Sequence, residues 1–151
     1  MGVFDLFRLD DRVAIVTGGG QGLGRAMAHG LAEAGAHVVI VDLVEENARK
    51  VSAEIEAMGR KSMALNVDIA SPEAVRDMAE TVNREFGRID ILLNNVGVAY
   101  KPLVEGGTRS IPTETVTVEN WKFVIDVNLV GTFLCSQSVG RIMINQKHGN
   151  I

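Results

Sequence analysis

The segment IVTGGGQGLGR at residues 15–25 sets five glycines between a β-branched run and an alanine-rich one. Residues 12–17 (RVAIVT) have the composition of a buried strand. RAMAHGLAEAG (25–35) is helix-forming and stops at Gly35. A strand that passes into a helix through bare backbone admits few architectures. The helix start offers free N–H groups and a partial positive charge to an anion. Glycines there keep side chains out of the ligand's way. The plainer alternative is a turn that only has to be tight. Both readings place a strand–turn–helix unit at this point.

The same alternation runs along the chain. HVVIVD (37–42) is a second strand ending on an acid. Residues 45–58 carry Ala48, Val51, Ile55 and Met58 at helical spacing, and Gly59 ends that helix. SMALNVDI (62–69) is a third strand. Ser71 as N-cap, Pro72 at the first helical position and Glu73 in the first turn start a helix to about Phe86. IDILLNN (89–95) is a fourth strand. Thr117 caps a long helix carrying Trp121, Ile125, Asn128 and Phe133, which ends near Gly149. Asn150-Ile151 reads as the first step of a fifth strand.

The strands are nearly all-apolar, which indicates cover on both faces. Right-handed crossovers then give an α/β fold with a doubly wound parallel sheet. It is incomplete, with about four strands and the start of a fifth. A length of 151 residues suits one domain, 1–151. Residues 98–116 (VAYKPLVEGGTRSIPTETV) are too long for an ordinary connection and read as a functional loop or insert.

A net charge of −4, with no basic run, argues against nucleic acid or anionic lipid as a partner. No stretch approaches 18 uninterrupted apolar residues, so no membrane span is expected. The start, MGVFDLFRLDDR, lacks the apolar run of a signal peptide. The single cysteine, Cys135, fits a reducing, cytoplasmic setting and reads as a buried, inert thiol. His29, His37 and His148 have no metal-ligand spacing. The six methionines read as core filler and Trp121 as packing.

The glycine spacing is T-G-x-x-x-G-x-G, with Thr17, Gly18, Gly22 and Gly24. It is neither the G-x-G-x-x-G fingerprint nor a P-loop. Asp42 ends the second strand 18 residues beyond Gly24. An acid there accepts hydrogen bonds from the hydroxyls of an adenosine ribose and repels a 2′-phosphate. Gln21 and Leu43 supply no cation for such a phosphate. NAD is therefore expected in preference to NADP, with Arg25 and Arg49 the residues that weigh against it. The plainer alternative for Asp42 is a solvated acid at a strand end.

NVD at 66–68, NNVG at 94–97 and VNLVG at 127–131 follow the glycine turn in order. Together the four motifs resemble the short-chain dehydrogenase/reductase family, from residue 8 to residue 151. The resemblance implies a Rossmann-type fold and an NAD(P)-dependent oxidoreductase acting on an alcohol or carbonyl. It implies that Thr17, Gly18, Gln21, Gly22, Leu23 and Gly24 form the cofactor turn, with Asp42 and Leu43 at the ribose. Asp68 and the backbone at Ile69 would hold the adenine. Asn95 and Gly97 would support the cofactor, with Val96 replacing the family's usual alanine. Asn128 matches the asparagine that anchors a water in the family's proton relay; its plainer reading is a buried, hydrogen-bonded amide. The overall pattern is similar to members acting on sugar acids, polyols or 3-oxoacyl thioesters, and the family implies a homo-oligomer when full length, with helices four and five, the first carrying Trp121, as its common dimer contact.

The family's catalysis also uses a serine and a Y-x-x-x-K pair. Hydride transfer to a carbonyl needs a proton donor at the developing alkoxide, and a lysine ammonium lowers the tyrosine pKa. The one tyrosine here, Tyr100, has Val104 four residues on, and Lys101 is misplaced. The chain thus reads as the N-terminal part of a longer enzyme, without turnover on its own. Strand four would then expose an unpaired edge and the long helix an apolar patch. Two further readings stand: a non-catalytic dinucleotide-binding module, and a different Rossmann-type enzyme such as a methyltransferase.

Overall fold

The computed structural model describes residues 2–99 and 112–151. Tyr100 and residues 101–111 of the long loop lie outside these.

Four strands form one parallel sheet: β1 (Val13–Thr17), β2 (His37–Asp42), β3 (Ser62–Asn66) and β4 (Ile91–Asn94), in the order β3-β2-β1-β4. The chain builds outward from β1 to β3, then crosses back to lay β4 on the other side of β1. Between the strands run α1 (Gly22–Glu33), α2 (Glu45–Ala57) and α3 (Pro72–Phe86). Beyond the loop lie α4 (Val118–Ile125), a π-helical turn (Asp126–Gly131) and α5 (Thr132–Gln146). Short 3₁₀ turns cover Val3–Phe7 and Thr113–Thr115.

The alternation of strand side chains decides which helix covers which face. Val16, Val38 and Ile40 pack with Ala28, Ala32, Ala48, Val51 and Ile55 of α1 and α2. Val13, Ile15, Val39 and Val41 pack with α3 and α5 through Val75, Met78, Val82, Cys135, Val139 and Met143. β1 and the middle of β2 are therefore buried on both faces. Each such valine or isoleucine contributes about 1.5–3 kcal/mol by leaving water. Cys135 belongs to this core, and burial pushes its thiol up to about 11.

The helix signals act as expected. Ser71 Oγ accepts from the Ala74 N–H, Pro72 opens α3, and Gly87 closes it in the left-handed region at φ 76°. Thr117 Oγ1 accepts from the Asn120 N–H at 3.2 Å. The fifth strand is present as a single parallel bridge between Ile91 and Asn150, with Leu92 N–H donating to Asn150 O and Asn150 N–H to Asp90 O, both at 2.9 Å.

Several expectations are corrected. β3 stops at Asn66, not residue 69, because Asp68 turns the chain: its Oδ1 accepts from the Ala70 N–H. β4 covers Ile91–Asn94, not 89–95, since Asn95 leaves the ladder for the glycine turn. α1 begins at Gly22, inside the glycine run. Trp121 is exposed, as are Met27 and Met58, so these are not core residues. α4, the π turn and α5 form one continuous 29-residue helix, Val118–Gln146, long and apolar enough to cross a membrane by length and composition alone. No uninterrupted apolar run announces it. One of its faces packs on α3 and the sheet through Cys135, Val139 and Met143. The other exposes Val118, Trp121, Leu129, Phe133 and Ile144, the apolar patch expected for this helix.

Candidate functional site

In an open parallel sheet the crevice for a ligand forms at the carboxyl ends of the strands, where strand order reverses. Here that point lies between β1 and β4. A cleft of about 750 Å³ occupies it, lined from all four strand ends and by Phe123 and Val127 from beyond the loop. Gly18, Gln21, Gly22, Leu23 and Gly24 come from the β1 turn, Asp42 and Leu43 from β2, Asp68 and Ile69 from β3, and Asn95 and Gly97 from β4. Every expected cofactor-binding residue except Thr17 therefore lines one cleft.

Thr17 is buried beneath it and holds the floor together. Its Oγ1 donates to Leu93 O at 3.3 Å and accepts from the Asn95 N–H at 3.1 Å. Asn95 returns the contact, donating from Nδ2 to Thr17 O at 3.0 Å and Gly18 O at 3.1 Å. This clamp joins the ends of β1 and β4 under the glycine turn. Asn95 thus acts on the turn's backbone rather than from a distance.

The glycines differ in their reasons. Gly18 and Gly22 have φ of +65° and +53°, which β-carbon-bearing residues rarely adopt. A Cβ on Gly22 would meet nothing within 4 Å, so its surroundings are open. Gly24 is the opposite case: it lines the cleft and also packs tightly against the preceding turn. A Cβ there would lie 2.0 Å from Gly18 O and 2.6 Å from Asn95 Nδ2. Gly24 lets the first turn of α1 lie against the turn that precedes it.

No side chain caps the start of α1. Its first-turn N–H groups have no acceptors within the helix, and Gly22, Leu23 and Gly24 line the cleft. Asp42 stands at the mouth of this turn: Oδ2 accepts from the Gly20 N–H and Oδ1 from the Val44 N–H, each at 3.0 Å. Both carboxylate oxygens are thus held by backbone N–H groups, and the side chain is half-buried at the strand end. Helix amides without a side-chain cap beside a fixed carboxylate fit a ligand that combines an anion with a diol.

The two cations that weighed against NAD are engaged elsewhere. Arg25 Nε donates to Glu54 Oε2 at 2.7 Å, where His29 Nε2 also contacts it at 2.9 Å. Hydrogen bonds from Arg25 and then His29 pull the Glu54 carboxyl down to about 2. Arg49 pairs with Glu45 one turn earlier on α2. Neither arginine lines the cleft.

Asn128 lies in the π turn, and such turns recur at functional sites. Its carboxamide pairs with the backbone of Val98, and Thr132 Oγ1 donates to its main-chain oxygen at 2.8 Å. The amide is hydrogen-bonded as expected but exposed, not buried. Sequence reasoning missed Phe123 and Val127 as lining residues; their i, i+4 spacing puts them on one helix face but does not say what that face meets. Among the described residues no cluster of His, Cys, Asp or Glu could hold a metal ion.

A short chain dehydrogenase family model matches residues 12–151. The chain belongs to this family. It is similar to a D-threitol dehydrogenase of Mycolicibacterium smegmatis, 38% identical over 145 residues that cover 96% of this chain and 52% of that protein. The fold resembles that of a gluconate 5-dehydrogenase from Burkholderia cenocepacia in complex with NADP and tartrate, with a TM-score of 0.86 and 36% identity over 98% of this chain and 55% of the other. It also resembles an NAD⁺-bound xylitol dehydrogenase, with a TM-score of 0.82 and 31% identity over 93% and 51%. The chain spans about half the length of the relatives it matches. Family membership supports a nicotinamide dinucleotide as the cofactor class and sets the methyltransferase alternative aside.

Proposed function

We propose that this chain is the dinucleotide-binding part of an NAD-dependent dehydrogenase or reductase of alcohol and carbonyl groups. The observation that carries the reading is the Asp42 carboxylate fixed at the mouth of the Gly18–Gly24 turn. Gly18, Gln21, Gly22, Leu23 and Gly24 form the pyrophosphate corner above the buried Thr17, where the uncapped helix amides bind negative charge. Asp42 and Leu43 take the adenosine ribose. Asp68 and Ile69 take the adenine, with Asn95 and Gly97 supporting the nicotinamide side. When bound, the nicotinamide supplies or accepts a hydride.

Similar structures hold NAD⁺ and NADP, so the preference for NAD rests on this chain's own residues. Asp42 repels a 2′-phosphate, Gln21 and Leu43 offer it no cation, and Arg25 and Arg49 are held by Glu54 and Glu45. Asn128 anchors the water of a proton relay in the intact enzyme. The substrate is a small alcohol or carbonyl compound of sugar, polyol or 3-oxoacyl type. The polyol class draws support from relatives named for D-threitol and xylitol. The intact protein is a homo-oligomer.

The second reading is a dinucleotide-binding module without catalysis. Residues 1–151 hold one tyrosine, Tyr100, and no lysine four positions after it. On either reading the 151-residue chain binds NADH and does not turn over. Calorimetric titration with NADH, NADPH and S-adenosylmethionine tests the shared claim. NADH should bind most tightly and S-adenosylmethionine not at all. Alcohol-dependent NADH production by this polypeptide would contradict the expected lack of turnover.

A further inference from the structure

Gly20 is buried but does not line the cleft, and its φ is not positive. Neither ligand approach nor backbone strain therefore explains a glycine at this position. Its surroundings do. A Cβ on Gly20 would lie 2.7 Å from Asp42 Oδ2 and 2.7 Å from the Cβ of Asn47, closer than real Cβ contacts come. The Gly20 N–H is one of the two donors that fix the Asp42 carboxylate; the Val44 N–H is the other, one on each oxygen. A carboxylate has about four lone-pair sites. Two donors from the protein set its rotation and leave capacity for a diol.

We infer that Gly20 is a positioning residue for nucleotide choice: by lacking a Cβ it lets the Asp42 carboxylate seat on the glycine turn, where it accepts the adenosine ribose and rejects a 2′-phosphate. The inference rests on reading the cleft as an NAD site. Any side chain at position 20 pushes the carboxylate off its donor, because the opposite wall is Asn47 on the first turn of α2. The ribose then loses a fixed acceptor and the 2′-phosphate loses a fixed repulsive charge. The effect falls on the ratio of the two affinities.

The test measures NADH and NADPH affinity for the 151-residue chain as wild type, Gly20→Ala, Asp42→Asn and the double variant. Gly30→Ala is the control, since Gly30 is an exposed helical glycine whose Cβ would meet nothing within 4 Å. Gly20→Ala should shrink the preference for NADH about tenfold, which corresponds to ~1.4 kcal/mol. Gly30→Ala should leave it unchanged. In the Asp42→Asn background Gly20→Ala should add nothing, as expected when one residue acts through the other. If Gly20→Ala fails to fold, adding Asn47→Gly removes one contact and keeps the one with Asp42, and the same smaller ratio is expected. An unchanged ratio, or an equal loss with and without Asp42, overturns the inference alone. A wild-type chain that binds neither nucleotide overturns the reading of the cleft, and this inference with it.

Discussion

Asn128 and Val98 are joined by two antiparallel hydrogen bonds: the Val98 N–H donates to Asn128 Oδ1 at 2.8 Å, and Asn128 Nδ2 donates to Val98 O at 2.9 Å. A side-chain amide here imitates a strand partner. It ties the π turn to the segment that leaves β4, where Val98 lines the cleft. Asn128→Ala removes both bonds. Because the site is exposed, about 1 kcal/mol of stability should be lost. NADH affinity should fall by more than the melting temperature suggests, since a wall of the cleft is released. Thermal unfolding and calorimetry on the same variant check this.

Gly24 admits no side chain. With Gly18 O 2.0 Å from the place of its Cβ, the backbone itself must shift. Gly24→Ala should cost about 1–3 kcal/mol, the usual range for overpacking, and abolish measurable NADH binding. Gly30→Ala, in the same helix but in open space, should instead be neutral or slightly stabilising. Chemical denaturation of the pair separates crowding from helix propensity.

Glu54 gives stability a definite pH dependence. Hydrogen bonds from Arg25 and His29 lower its carboxyl from 4.5 to about 2. The folded state therefore favours the ionised form. That contribution is complete above about pH 4.5 and is lost as the pH falls toward 2. Glu54→Gln should flatten the stability profile in that window and leave it unchanged near pH 7 in shape. Urea midpoints measured from pH 2 to 7 check the sign.

Asp90 anchors the opposite end of the sheet. Burial alone would raise its carboxyl, but hydrogen bonds from Arg88, the Val13 N–H and Arg12 outweigh that and hold it below the usual range. His148 adds a contact at 3.2 Å. Asp90→Ala leaves the Val13 N–H, at the head of a buried strand, without its acceptor. The loss should be about 2–3 kcal/mol, with NADH affinity unchanged because the cleft lies at the other strand ends. Urea unfolding with a parallel titration distinguishes this from a general collapse.

The sequence revealed most where one residue type has one physical use. Ser71-Pro72, Thr117 and the β-branched runs of β1 and β2 were legible because caps and doubly buried strands depend on local chemistry. The glycine turn and Asp42 were legible as a pair, and they do meet. What stayed hidden depends on distant partners. The separate duties of Gly18, Gly20 and Gly24 follow from Asn95, Asp42 and Gly18 O, which no spacing encodes. The π turn has no compositional signature. The lining role of Phe123 and Val127 required knowing that the long helix returns across the β4 end.

The most direct test of the account is titration of the purified 151-residue chain with NADH and NADPH, followed by the same titration of Asp42→Ala. The account expects saturable binding of NADH, weaker binding of NADPH, and loss of that preference in the variant. Equal affinity for the two nucleotides in the wild type, or a preference that survives removal of Asp42, would contradict it.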